Sequence, residues 1–320
     1  MHDFPVRLIR AGCLESGLTQ GVYHSLARKM TASSQDTIIL CSPQTPYLCI
    51  GYHQILDAVL DRRICKKMGL PILRRSVGGG ATYLDHNQIF YQCIFHQSRV
   101  SARADKVYQL MLEAPVRVLN QIGLEGRLRA INEVEANSMR IAGIGGGRVG
   151  DAVVVVGNLL LDFNYHLMSQ VWRTSDTGFR DLAASAMKDR VSTLRKMGFK
   201  QSLKTLETML AIAFKESIGR PVIDSELSNE EIKSGEKAAK HLSSKSFLSM
   251  HRPDGEINPM TSLKIAAEVF IHRLEINFNK MKSDVSVRVD QGIITDIRAN
   301  SQQTTKLKEQ MIGSPLSNWK

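Results

Sequence analysis

Leu73-Arg-Arg-Ser-Val-Gly-Gly-Gly-Ala-Thr-Tyr-Leu-Asp85 is the stretch that decides the fold, two arginines running into three consecutive glycines. The apolar run before it (Leu70, Ile72, Leu73) and the strand-like residues from Thr82 to Phe95 after it make Gly78, Gly79 and Gly80 a bend between two strands. Glycines leave side-chain volume empty and let backbone N–H groups approach a ligand, as a phosphate or a buried carbonyl requires. The guanidinium groups of Arg74 and Arg75 beside such a bend are suited to clamp a carboxylate or phosphate. Taken alone, three glycines are equally the mark of a flexible turn. The stretch is neither a P-loop nor a dinucleotide turn, because no Gly-Lys-Ser/Thr follows and the next segment reads as strand rather than helix.

With 320 residues, 43% of them hydrophobic and 23% charged, the chain can bury a sizeable core and form one large domain plus a small one. No run of about 18 apolar residues is present, and Met1-His2-Asp3 opens without a signal-like region, which predicts a cytoplasmic protein and no membrane partner. Cys13, Cys41, Cys49, Cys65 and Cys93 are scattered and odd in number, so buried free thiols are expected rather than disulfides or a zinc site. A net charge of +11 admits nucleic acid, a membrane surface or an acidic protein as partner. Aromatics at 6% and the absence of a basic helix interleaved with aromatics argue against nucleic acid.

In chain order, residues 6–10 read as a strand and Leu18–Lys29 as an amphipathic helix with Val22 and Leu26 on one side. Two apolar strands, 37–41 and 47–51, follow around Pro43 and Pro46. A single helix over 56–68 carries Arg62, Arg63, Lys66 and Lys67 on a solvated face. After the glycine bend come a strand over 88–95 and a helix over 105–122 with a kink expected at Pro115. Asn132–Gly143 reads as a hairpin turning at Asn137-Ser138, and Ile144-Gly-Gly-Gly-Arg-Val-Gly150 as a second glycine-rich bend. Ala152–Phe163 is a strand buried on both faces, so two glycine bends are expected over one cavity, shaped for an elongated apolar ligand with a polar head. Helical segments are expected at 193–197 and 203–214, with Trp172-Arg173 in a loop. A charged surface helix occupies 226–246 and leads into a Ser243-Ser-Lys-Ser246 linker. From about residue 255 the pattern changes to a small α+β appendage with a β-hairpin around Asp290-Gln-Gly292, then a short helix and tail over 301–320.

The order of these pieces resembles the lipoate-protein ligase family. Four motifs carry the match over about residues 5–220: Ile50-Gly-Tyr-His-Gln54, Arg74-Arg75 with Gly78-Gly-Gly-Ala-Thr-Tyr-Leu-Asp85, Asn132 with Met139-Arg-Ile-Ala-Gly143, and Gly157-Asn-Leu-Leu-Leu-Asp162. The resemblance implies an α+β fold of mixed, mainly antiparallel sheets flanked by helices, the biotin/lipoate ligase class related to class II synthetases. It implies a catalytic domain over 1–250 and a small C-terminal α+β accessory domain over 255–320. The implied activity is ATP-dependent: lipoate and ATP, with Mg²⁺ on the nucleotide, give lipoyl-AMP and pyrophosphate, and a lysine of an acidic lipoyl-acceptor carrier protein then takes the acyl group. By resemblance Arg75, Gly78, Gly79, Gly80 and Ala81 hold the acyl-adenylate, with Tyr83 beside the acyl chain. Asn132 lies near the nucleotide, Gly143 and Gly157 complete the pocket, and Arg140 is the catalytic cation.

The chain departs from the family pattern at Arg140, where a lysine is usual, at Val77 for Ser or Thr, at Leu84 for His, and at Val156 for the His of a His-Gly pair. Arginine keeps the charge but is longer, planar and differently aimed. Two other functions fit the same fold: an octanoyl or lipoyl transferase with a cysteine nucleophile, for which Cys93 is nearest in sequence to the glycine bend, and a non-catalytic protein that docks the lipoyl carrier. The residues before Asn132, where one transferase group carries its thiol, are Arg129-Ala130-Ile131. His53, His86 and His96 read as surface or hydrogen-bonded residues, Asp85 as a turn cap, and Asp151 and Asp162 as magnesium candidates or solvated carboxylates. Arg148 in the second glycine cluster is a phosphate contact or a solvated side chain.

Overall fold

The computed structural model describes residues 4–174, 176–278, 281–299 and 304–319; the opening Met1-His2-Asp3 and residues 300–303 of the expected tail lie outside them. Strand β1 (Val6–Leu14) leads to helix α1 (Ser16–Arg28), started by Glu15, whose carboxylate accepts the Leu18 N–H at 3.1 Å. Strands β2 (Thr37–Pro43) and β3 (Tyr47–Ile50) come next. The helix expected over 56–68 is instead α2 (Leu56–Val59) and α3 (Arg62–Lys67). Asp61 divides them by accepting the N–H groups of Arg63 and Ile64 at 3.0 and 3.2 Å, a cap that starts a new helix where periodicity alone shows none. The basic side chains of α3 are exposed to solvent as expected.

Strands β4 (Ile72–Arg74) and β5 (Thr82–Leu84) bracket the glycine bend, and β6 (Gln88–His96) is buried along its length. Helix α4 (Ala104–Gln121) runs through Pro115 without a break and buries Val107, Met111, Ala114 and Val118. Strands β7 (Gly126–Arg129), β8 (Glu133–Ala136) and β9 (Met139–Arg140) form a small sheet. The β8–β9 hairpin turns at Asn137 and Ser138, both with positive φ (49° and 63°), where the sequence places it. The second glycine cluster is not a bend but strand β10 (Ile144–Val149), paired antiparallel with β11 (Ala152–Leu160) from Ile144↔Gly157 to Val149↔Ala152.

Helices α5 (Tyr165–Val171) and α6 (Thr177–Arg190) follow. The sequence reading missed α6 because two of the five residues of its buried stripe, Ala183 and Ala186, are small. The helix expected at 193–197 is a run of turns. Its backbone is tied outward, Ser192 N–H to the Arg140 carbonyl at 2.8 Å and Leu194 N–H to that of Leu160 at 2.8 Å. Then come α7 (Leu203–Ser217), β12 (Val222–Ser225), α8 (Asn229–Leu242) and α9 (Lys245–Leu248), a helical turn in place of the expected linker. The C-terminal segment forms β13 (Ser262–Ala266), β14 (Val269–Phe278), β15 (Met281–Asp290), β16 (Ile293–Ala299) and α10 (Thr304–Met311).

The fold is α+β with mixed, mainly antiparallel sheets, as expected. Residues divide into two compact units. The first, residues 1–54, 68–163 and 192–251, holds the six-stranded sheet β10-β11-β6-β2-β1-β12 and the three-stranded sheets β4-β3-β5 and β7-β8-β9. One face of the large sheet (Tyr91, Cys93, Val155, Leu159) packs on Met111 and Val118 of α4 and Leu210 and Phe214 of α7. The other face (Ile39, Cys41, Phe90, Val154) packs on Val22 and Tyr23 of α1 and on Tyr47, Leu73 and Val77, which carry the glycine bend against β10 and β11. The second unit, residues 55–67, 164–191 and 252–320, is built on the meander β13-β14-β15-β16. Its core is Leu274, Ile276, Val285, Val287, Ile294, Ile297, Leu307 and Met311. The expected hairpin turns at Gln291-Gly292, with φ of 53° and 80°.

Candidate active site

Strand β3 lies between β4, parallel to it, and β5, antiparallel to it, so the chain from Arg75 to Ala81 crosses over the end of β3. Both arginines at the start of that crossing are buried, and both are engaged with carbonyl oxygens of the protein. Arg74 donates from Nε to Phe247 O (2.9 Å), from Nη2 to Leu248 O (2.7 Å), and from Nη1 to the carbonyls of Gly51 (3.2 Å), Tyr52 (2.7 Å) and Gln54 (2.6 Å). It therefore latches α9 to the Gly51–Gln54 loop and is not a ligand clamp. Arg75 donates to Gly78 O from Nε and Nη2 (both 3.1 Å), to Gly80 O from Nη2 (2.8 Å), and to Cys49 O from Nη1 (3.3 Å).

This arrangement turns the carbonyls of the bend toward Arg75 and leaves its amides. Gly78 N–H donates to Gly146 O at 3.1 Å, which pins the bend to β10. Among the described residues, the N–H groups of Gly79, Gly80 and Ala81 have no protein acceptor. Three successive free amides on a cationic frame suit an anionic oxygen. The glycine volumes are not all empty, as the sequence reading had them. An added Cβ at Gly79 would stand 2.5 Å from Arg75 Nη2, whereas at Gly51 and Gly145 it would run into the backbone carbonyls of Gly79 and Gly78, so one glycine makes room for the guanidinium and two for the bend itself. Of Gly78, Gly79 and Gly80, the last alone has no atom within 4 Å of its Cβ position.

Of the remaining expected residues, Arg140, Gly143 and Tyr83 are linked to the bend by contact, whereas Asn132 and Gly157 are not. Ile144 O lies 3.4 Å from the Cβ position of Gly79, and its neighbour Gly143 has Arg140 Nη2 3.8 Å from its own Cβ position. Arg140 is half-buried and donates from Nε to Ala142 O at 2.9 Å. Burial pulls its pKa down from the ordinary arginine value, and the Glu133 carboxylate opposes this. Gly143 N–H donates to Asn158 Oδ1 at 2.7 Å, and Asn158 Nδ2 donates to Gln88 Oε1. Gln88 Nε2 donates to Tyr83 O (3.2 Å) and Asp85 Oδ1 (3.3 Å). A buried polar chain thus joins the end of the glycine bend to β11 and the β9–β10 junction, and each member satisfies the next. Tyr83 is buried with its ring edge-on to Phe163 at 6.1 Å. Gly157 is a glycine because the Tyr91 hydroxyl lies against its α-carbon, on the face turned toward α4 and α7. Asn132 is exposed in the turn before β8.

Sequence reasoning missed Asn158, Gln88, Glu133 and the 192–199 turns beside Arg140, none of which carries a local signal; Glu133 follows Asn132 directly and only its burial marks it. It also missed His24 on α1. His24 is fully buried and its Nε2 accepts the Ser76 N–H at 2.7 Å. Burial pulls its pKa from 6.5 to about 3. The folded protein therefore refuses a proton that the unfolded chain takes, so stability is full above about pH 6.5 and falls as pH drops from there toward 3. Urea unfolding is expected to show a loss of about 2 kcal/mol from this group by about pH 5.

Asp85 caps its turn through the Asn87 N–H (3.0 Å), while His53 and His86 are exposed and His96 Nδ1 pairs with Ser98 Oγ (2.7 Å). Asp151 is exposed and accepts Gln97 Nε2, Asp162 is exposed and accepts the Phe163 N–H, and Arg148 is exposed and paired with Gln97. Cys41, Cys49, Cys65 and Cys93 are buried as expected, whereas Cys13 is exposed. Burial pushes the Cys93 thiol up, away from thiolate. Among the described residues no group of three or more His, Cys, Asp or Glu is placed to hold a metal, and no helix is long and apolar enough to cross a membrane.

Residues 20–215 match the lipoyl protein ligase A/B catalytic domain. The chain is 27% identical over 155 residues to lipoate-protein ligase A subunit 1 of Thermoplasma acidophilum, covering 45% of this chain and 58% of that protein. It thus spans little more than half the length of that relative. It is 25% identical over 232 residues to the octanoyltransferase LipM of Kyrpidia tusciae, covering 64% of this chain and 84% of that protein. A bi-partite lipoate protein ligase of T. acidophilum superposes with a TM-score of 0.69 at 20% identity, over 80% of this chain and 100% of that one, a likeness of fold. With more than half of its residues matched to one family, the chain belongs to the lipoyl protein ligase A/B catalytic-domain family.

Proposed function

We propose that the protein is an ATP-dependent lipoate-protein ligase. The observation that carries this reading is the Arg75-framed bend with the amides of Gly79, Gly80 and Ala81 free, with Ile144 O against Gly79 and the half-buried Arg140 beside the neighbouring Gly143. In the first step a lipoate carboxylate oxygen attacks the α-phosphorus of ATP, and pyrophosphate leaves. The three amides and Arg140 stabilise the charge that develops on the phosphoryl and acyl oxygens. In the second step a carrier lysine amine attacks the acyl carbonyl, losing its proton, and AMP leaves. Tyr83 and the apolar wall of Val154 and Val156 would flank the acyl chain.

Asn132, exposed in the turn before β8, carries an amide oxygen of the kind magnesium takes, and one or two such groups are enough when phosphates complete its shell. It would hold Mg²⁺, which neutralises phosphate charge when bound. The carrier partner is acidic in this reading, matched to the net charge of +11 and held less tightly as salt rises. A cytoplasmic location goes with it.

The LipM relative favours a second reading, a cysteine-dependent transferase. Against it, the Cys93 thiol is fully buried and held protonated, and residues 129–131 hold no cysteine. ATP–pyrophosphate exchange driven by lipoate, followed by mass spectrometry of a lipoyl carrier with and without ATP, separates the two. Carrier acylation that ignores ATP sinks the ligase assignment. Arg140→Ala is expected to lower the exchange rate by about 10²–10³, whereas Arg140→Lys, which restores the family's usual residue, is expected to retain activity.

A further inference from the structure

The bend that supplies the free amides begins at Ser76, and the side chain that meets Ser76 comes from a different part of the chain. His24 lies on the third turn of α1, its ring against that of Tyr23 with centroids 4.0 Å apart. Its two nitrogens have different partners, Nδ1 at 2.7 Å from the Gln20 carbonyl and Nε2 at 2.7 Å from the Ser76 N–H. An N–H can only donate, so Nε2 is the acceptor and the ring proton sits on Nδ1, where it donates to Gln20 O. That is one fixed tautomer, set by a helical carbonyl on one side and a loop amide on the other.

The rest of α1 keeps the imidazole in place. Gln20 is itself bonded from Nε2 to the Tyr47 hydroxyl (2.8 Å) and accepts the Tyr23 hydroxyl on Oε1 (3.0 Å). Ser76 follows Arg75 directly, so the amide that His24 holds is attached to the arginine that frames Gly78 and Gly80. We propose that His24 is a positioning residue for this site: as a neutral Nδ1–H imidazole it fixes, through Ser76, the point from which Arg75 and the Gly79–Ala81 amides are aimed. This rests on the ligase reading for its consequence in catalysis, but not for the geometry itself. His24 is fully buried, and both of its ring nitrogens are taken by backbone groups of the protein.

The test separates the two bonds of the ring. His24→Gln places an amide oxygen near the position of Nε2 and can still accept the Ser76 N–H. His24→Asn reaches only as far as Nδ1, retaining a donor toward Gln20 O but no acceptor for Ser76. Hydrogen exchange at the Ser76 amide is expected to accelerate by about tenfold or more in His24→Asn, with β6 unchanged, and to stay near wild type in His24→Gln. In lipoate-driven ATP–pyrophosphate exchange, kcat is expected to fall about 100-fold in His24→Asn, with KM for ATP moving less, and to be rescued in His24→Gln. Nitrogen NMR of the wild-type protein is expected to show the Nδ1–H tautomer. Equal Ser76 protection or equal activity in the two variants, or a wild-type Nε2–H tautomer, overturns the proposal. If wild type itself exchanges no pyrophosphate, the ligase reading fails on its own, and Ser76 protection with the tautomer still decides the role of His24.

Discussion

The Gly51→Ala substitution is expected to destabilise the first unit by about 3 kcal/mol, because its methyl group would overlap the backbone of Gly79 rather than a side chain that can rotate away. Gly51 directly follows β3, and the glycine bend crosses above it, with Tyr52 N–H donating to Val77 O at 3.0 Å. The clash can be relieved only by lifting the bend, which breaks the Gly78–Gly146 bond and the carbonyl contacts of Arg75. Loss of stability and loss of the proposed ligase activity should therefore appear together. Gly80→Ala is the matched control, since its Cβ meets no other atom within 4 Å, and it is expected to change stability by less than about 0.5 kcal/mol. Urea denaturation of the two variants, compared at equal m-value, measures the difference. Similar midpoints would mean that the bend does not lie over Gly51.

The second large effect is expected at Arg74. Arg74→Ala leaves five carbonyl oxygens, those of Gly51, Tyr52, Gln54, Phe247 and Leu248, without the guanidinium that now satisfies them in a buried setting. Removing the fully buried guanidinium from such a charged network, whose acceptors are buried or partly buried, costs about 3 kcal/mol. Arg74→Lys should recover little of it, because an ammonium is a point donor and cannot reach both the Gly51–Gln54 loop and α9. A thermal melt with limited proteolysis would read this directly, with cleavage expected first around Lys245–Leu248 once the latch is gone. Arg74→Ala with unchanged melting and proteolysis would show that α9 is held by packing alone.

The two arginines also show how far a sequence reading of this chain goes. That three glycines after a pair of arginines make a bend between two strands was legible from residue types and spacing. The groups left without a protein acceptor among the described residues, however, are the amides of Gly79, Gly80 and Ala81, while Arg75 faces inward and binds the carbonyls of the bend. Similarly, the run from Ile144 to Val149 is glycine-rich and reads as a loop, yet it forms an edge strand. Pairing with β11 supplies what its low strand propensity lacks, and its glycines admit the Gly78 carbonyl and the Tyr108 hydroxyl.

Local pattern in this chain determined most strands and helices, the two hairpin turns, the order of motifs and through it the family. Those features depend on side-chain period and backbone preference, which neighbouring residues express by themselves. Tertiary structure decided which groups each buried polar side chain meets: Arg74 finds its acceptors 173 residues away at Phe247, Asn158 finds Gln88 across 70 residues, and His24 finds Ser76 across 52. A hydrogen bond of that kind exists only after the sheets have stacked, because the partner is chosen by the path of the folded backbone and leaves no periodic trace in the residues on either side.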